Sequence, residues 1–67
     1  MSMLNFEFQF GQIVYLKSDT DQLERIVTEY WVRPGSIQYF LMSDSWGSWH
    51  YGFEISKTKD ILKTTNN

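Results

Sequence analysis

The chain carries a single histidine, His50, among several serines and eight carboxylates, and no cysteine. Nucleophilic catalysis needs a nucleophile, a base and an orienting group within reach of one another. Several Ser and Asp residues could accompany His50, but nothing in their spacing selects one. His50 stands between Trp49 and Tyr51 in an alternating run and reads as an outward-facing strand residue. Zinc would need three or four ligands from one histidine and scattered carboxylates, and no thiolate is present. Asp19, Asp21 and Glu24 have acidic spacing without the glycine and bidentate glutamate of a twelve-residue calcium loop, so they read as a solvated turn. A paired-carboxylate hydrolase needs a cleft that a chain of 67 residues has little room to build. The chain therefore reads as non-enzymatic, with no catalytic residue, metal site or cofactor.

Binding chemistry is better represented. Phe6, Phe8 and Phe10 alternate with Glu7 and Gln9. Leaving three aligned Phe rings in water costs about 2 kcal/mol each, so they pack on their own barrel or on another subunit. Trp31, Phe40 and Met42 fall on one face of a hairpin and are too apolar for a plain solvated surface, which makes them candidates for a protein partner or self-association. A second reading assigns nucleic acid to Trp46, Trp49 and Tyr51 as stacking platforms, with Lys17, Arg25 and Arg33 for phosphates. A third is an aromatic cage for a methylated cation, of the Tudor kind, built from Trp46, Tyr51 and Asp44. Charge weighs against nucleic acid. Residues 1–55 carry three basic against seven acidic side chains, and the basic excess is confined to Lys57, Lys59 and Lys63 behind them.

These residues must be positioned by strands. Arg25–Val32 and Ile37–Met42 are rich in β-branched and aromatic residues. Between them Pro34 presets φ at the second turn position, and Gly35 accepts the positive φ of the third. A type II turn matches tight hairpin twist poorly, so the sequence predicts a four-residue loop, Arg33 to Ser36. Val32 then pairs with Ile37, Tyr30 with Tyr39 and Thr28 with Leu41. That register sends Ile26, Thr28, Tyr30, Val32, Ile37, Tyr39 and Leu41 to the core, and Val27, Glu29, Trp31, Gln38, Phe40 and Met42 to the other face.

The rest of the chain closes around this hairpin. Phe6–Phe10 reads as a strand or extended arm. Gly11–Lys17 reads as a strand with Val14 and Leu16 inward and Tyr15 opposite. Residues 18–24 are a polar loop. Trp46 falls in a second loop, where it caps a barrel end or offers a stacking surface. Trp49–Ile55 is the next strand, bent at Gly52. Ile61 and Leu62 add a short closing strand, and residues 1–5 and 63–67 read as frayed ends of one domain spanning 1–67. So short a chain buries only about 60% of its unfolded surface. With no disulfide available, an aromatic content of 18% or oligomerisation must make up the deficit. No apolar run approaches a membrane span, and the N-terminus lacks the pattern of a signal peptide, so a cytoplasmic protein is expected. The fold class predicted is all-β, a small SH3-like barrel of about five strands with a polar C-terminal tail.

Gly11, Val14, Leu16, Lys17, Ser18, Val27, Gly35, Tyr39, Phe53 and Ile55 form a pattern that resembles a loose group of short bacterial and bacteriophage proteins. The pattern is a Gly-x-x-Val-x-Leu-Lys-Ser opening, a glycine turn, an aromatic strand and a hydrophobic closing strand, and it covers about residues 10–62. The resemblance implies an SH3-like barrel without implying a reaction. It also implies an accessory or assembly role in phages and prophages, with a virion location where the gene is phage-borne. Signalling SH3 domains differ in their Ala-Leu-Tyr-Asp-Tyr run and paired tryptophans, and KOW segments in their second glycine and basic surface.

Overall fold

A computed structural model describes residues 6–64. Five strands, β1 (Ile13–Leu16), β2 (Arg25–Arg33), β3 (Ser36–Ser43), β4 (Trp46–Tyr51) and β5 (Ile55–Ser56), form an antiparallel sheet in the order β4-β3-β2-β1-β5. A 3₁₀ turn, Gly52–Glu54, links β4 to β5, and a single helical turn, α1 (Ile61–Thr64), follows. This is the all-β, five-stranded SH3-like barrel that the sequence predicts. The ends expected to fray lie outside the described residues, except Lys63 and Thr64, which belong to α1.

The central hairpin keeps the predicted pairs Val32–Ile37 and Tyr30–Tyr39 but turns more tightly than predicted. Arg33 pairs with Ser36, so Pro34 and Gly35 alone make the turn, with Gly35 at φ +80°. Below this point the register shifts. Thr28 is the extra residue of a β-bulge, and Val27, not Thr28, faces Leu41. A bulge reverses which side chains point inward beyond it. Val27 is therefore buried in the core, while Ile26, expected inside, is exposed on the outer face. Val32, at the hairpin tip and also expected inside, is exposed.

The core consists of Phe8, Val14, Leu16, Val27, Tyr39, Leu41 and Ile55, with Phe6, Tyr30 and Ile37 packed against it. The Phe6–Phe10 segment is not a strand. Strict alternation would aim its rings one way, but they separate. Phe8 inserts into the core and is 1% exposed. Phe6 and Phe10 both stack on Tyr30, with centroids 4.0 and 4.2 Å away. Two parallel rings so close to a third cannot share one side of it, so Tyr30 is sandwiched between them. Tyr30 Oη donates to the Phe8 carbonyl at 2.7 Å, and the Glu7 amide donates to Tyr39 Oη at 3.1 Å. The arm thus packs on its own barrel.

Three further expectations are corrected. Trp46 opens β4 and is not in a loop, because Asp44 takes φ +47° and lets Asp44-Ser45 close a two-residue turn between Ser43 and Trp46. The strand from Trp49 ends at Tyr51, where Gly52–Glu54 turns away and leaves Phe53 exposed and stacked on Tyr51. The closing strand is Ile55–Ser56, paired with Leu16 and Tyr15, whereas Ile61 and Leu62 lie in α1.

Truncating Phe8 removes the ring that joins the arm to the sheet. Phe8→Ala should lower stability by about 3–5 kcal/mol, read as a shift in the urea unfolding midpoint, and a shift below about 1 kcal/mol would contradict this packing.

Candidate functional site

Strand alternation and the bulge together sort the side chains of the sheet. On the outer face, Ile13 on β1 sits beside Ile26 on β2, which pairs with Met42 on β3. The next row is Glu29, Phe40 and Trp49, and the next Trp31, Gln38 and Tyr51. The Trp49 ring meets Trp31 at 5.6 Å and Phe40 at 5.0 Å, both edge-on. Arg33 lies over Trp31 at 5.3 Å. Trp31 is 47% exposed, and Phe40, Met42 and Trp49 are half-buried by one another. Gly47 is what lets Phe40 and Met42 close over β4, since a Cβ there would come within 2.7 Å of a Phe40 ring carbon and 2.6 Å of Met42 Sδ. A shallow depression of about 440 Å³ continues this face between Ile13, Leu23, Ile26 and Met42, edged by Glu24 and Asp44. Of the residues predicted to bind protein, Trp31, Phe40 and Met42 come together here. Phe8 is interior, and Phe6 and Phe10 flank Tyr30.

Of the residues considered for nucleic acid, Trp49, Tyr51 and Arg33 share the outer face, while Lys17, Arg25 and Trp46 lie apart from them. Lys17 is exposed at the end of β1 and Arg33 at the hairpin tip. Arg25 is 4% exposed and points inward, with Nη2 3.5 Å from Asp19. Trp46 covers the Arg25 guanidinium at 5.1 Å, so it closes one end of the barrel around a cation that the chain itself supplies. Trp46 pairs with Ser43 on the inner side of the sheet, whereas Trp49 and Tyr51 are on the outer side. Trp46 and Tyr51 therefore stand at opposite ends and on opposite faces of β4, which separates the two aromatic walls of the proposed cage.

The Asp19 carboxylate accepts the amides of Asp21 at 2.9 Å and Leu23 at 3.0 Å, and it faces Arg25. It is folded into its own loop and does not point outward with Asp21 and Glu24. Gln22, which no local pattern singles out, is buried at φ +48° and holds the same loop. Its side-chain amide donates to the carbonyls of Leu16 and Asp19, and its Oε1 accepts the Asp60 amide at 2.8 Å.

His50 is also more engaged than its sequence context suggests. It lies on the inner side of β4, not the outer, with Nε2 2.6 Å from Ser48 Oγ and Nδ1 2.8 Å from Glu54 Oε1. Glu54 Oε2 accepts the Tyr51 amide at 3.0 Å. Ser48 and His50 are i and i+2 on one strand face, a signal present in the sequence. Glu54 is recruited only by the 3₁₀ turn, which local spacing does not reveal. The connectivity is that of a nucleophile, a base and an orienting carboxylate, yet these residues do not line the depression at Ile13, Leu23, Ile26 and Met42. What the chain visibly does is strap the end of β4 to the 3₁₀ turn. Comparison with protein-family models, curated proteins and solved structures finds no match.

Two carboxylates are held below their ordinary values. For Glu54 the hydrogen bond from His50 is the largest cause, with help from the Tyr51 amide and against a smaller penalty from burial. For Asp19 burial pushes upward, but the Leu23 and Asp21 amides and the Arg25 guanidinium together outweigh it. A carboxylate lowered in the folded state stabilises it above the ordinary value, here 4.5 and 3.8, and that contribution is lost as pH falls through the lower folded-state value. The urea midpoint should therefore fall between about pH 5 and about pH 3, and less steeply in Asp19→Asn/Glu54→Gln; parallel profiles would show that these contacts do not drive acid unfolding.

Proposed function

We propose that this protein is a non-enzymatic binding module that acts through protein–protein contacts, using the outer face of its β2–β3–β4 sheet. The observation that carries the reading is the cluster of Trp31, Phe40 and Trp49 on a side of the sheet that no other element among the described residues covers, continuous with Met42, Ile26 and Ile13. Aromatic and methionine side chains gathered at the centre of a patch, with charges at its rim, are the composition of a protein interface core. The rim supports a protein over a polyanion. Glu24, Glu29 and Asp44 border the patch, Arg33 stands at one corner, and Arg25 is withdrawn into the barrel. An accessory or assembly role of the kind implied by the resemblance to short phage proteins fits the same face.

Trp31→Ser/Phe40→Ser should leave the fold intact by circular dichroism, since both side chains lie outside the core. Immobilised wild-type chain should retain one or a few proteins from its host's lysate, this chain included, about tenfold more than the double variant. Equal retention would contradict the reading. Retention of nucleic acid, lost as salt is raised, would replace it with the stacking alternative.

A further inference from the structure

β4 stands at the edge of the sheet, and its backbone pattern states what can pair with it. Ser43 and Trp46 close a two-residue turn, so they form a hydrogen-bonded pair, and such pairs recur at every second residue. Trp46, Ser48 and His50 therefore direct their N–H and C=O groups to β3. Gly47, Trp49 and Tyr51 direct theirs to the open edge. The Tyr51 amide is already capped by Glu54 Oε2, as that alternation requires. Among the described residues nothing takes the amides of Gly47 and Trp49 or their carbonyls.

Exposed edges are ordinarily guarded by a charge, a proline, a bulge or short length. β5 is only two residues long. β4 is six residues, Trp46-Gly47-Ser48-Trp49-His50-Tyr51, with no Lys, Arg, Asp, Glu or Pro, and its pairing with β3 is regular throughout.

The geometry points to a second copy of this chain as the occupant of this edge, the two β4 strands pairing antiparallel about a twofold axis with Ser48 opposite the partner's Ser48. In that register Trp49 faces the partner's Gly47, and Gly47 faces the partner's Trp49. Each pair exchanges both backbone hydrogen bonds, and the capped Tyr51 amide is not needed. Shifting the centre to Trp49 would set Gly47 against the partner's Tyr51, whose amide is already taken, so the Glu54 cap selects the first register. The contact is isologous, as a closed dimer requires. It sets a large ring against a glycine, and it brings no like charges together because β4 carries none. It also joins the two outer aromatic faces into one sheet. The inference rests on the protein-contact reading above and specifies its partner.

Sedimentation velocity from about 10 to about 500 µM should show a reversible monomer–dimer equilibrium. Trp49→Pro removes the ring and an edge-facing N–H that β3 does not use, so the monomer ladder is kept while dimerisation weakens by at least about tenfold relative to Trp49→Thr, which loses the ring and keeps the N–H. A non-hydrogen-bonded antiparallel pair brings Cα atoms to about 4.5 Å, within disulfide range. In this cysteine-free chain, Ser48→Cys should therefore cross-link under mild oxidation while Ser36→Cys does not. A wild type that stays monomeric overturns the inference. So does a dimer indifferent to Trp49→Pro that does not cross-link at Ser48→Cys. In either case the outer-face reading still stands or falls by the Trp31→Ser/Phe40→Ser comparison.

Discussion

The bulge at Thr28 is the constraint on which the rest of the surface depends. It is one inserted residue in β2, and it decides which side of the sheet each neighbouring side chain occupies. Val27 enters the core because of it, opposite Leu41, and Ile26 leaves the core to join Ile13 and Met42 outside. Without it, Thr28 would face Leu41 and Ile26 would lie inside opposite Ser43, and the outer face would lose the row that links the aromatic cluster to the depression at Leu23. The bulge also falls where the N-terminal arm meets β2. Gly11 donates to the Val27 carbonyl at 2.8 Å, and the Val27 amide donates to Gln12 at 3.1 Å. Past that point the arm leaves β2 and passes beneath Tyr30.

A small barrel without disulfides must draw stability from dense packing, and the aromatic residues divide that task. Phe8 and Tyr39 meet edge to face in the core at 5.1 Å, and Tyr30 stands against Tyr39 at 5.5 Å. Phe6 and Phe10 extend the cluster around Tyr30. At the opposite end, Arg25, Asp19 and Trp46 close the barrel with a buried cation. Among the described residues its Nε and Nη1 have no hydrogen-bond partner, and Asp19 and the Trp46 ring offset its desolvation. The outer cluster of Trp31, Phe40 and Trp49 takes no part in either end. Its rings bury one another only in part, which is why the function is placed there.

Much of this was legible in the residues. The Pro-Gly turn, the Val32–Ile37 and Tyr30–Tyr39 pairs, and the inward Val14 and Leu16 follow from local turn chemistry and period-two alternation. The bulge was not legible, because Thr28 sits in an unbroken run of good strand formers with no glycine to mark the insertion. The Phe6–Phe10 segment has the pattern of a strand. It departs from one because Tyr30 offers two ring faces, a tertiary fact that no local pattern contains. The Ser48–His50–Glu54 strap was half legible. Two members share a strand face, while the third returns only through the turn at Gly52. Trp31, Phe40 and Met42 were identifiable as too apolar for solvent, but their companion Trp49 was assigned to a different kind of site, because cross-strand neighbours become visible only once register is known.

The backbone of β4 allows the account to be tested residue by residue. Amide hydrogen exchange followed by NMR should show Ser48 and His50 protected at every protein concentration, because their N–H groups face β3. Gly47 and Trp49 should exchange freely in dilute solution and become protected as concentration rises. Gly47 and Trp49 amides that stay unprotected at high concentration would contradict a β4 edge completed by a second copy of the chain.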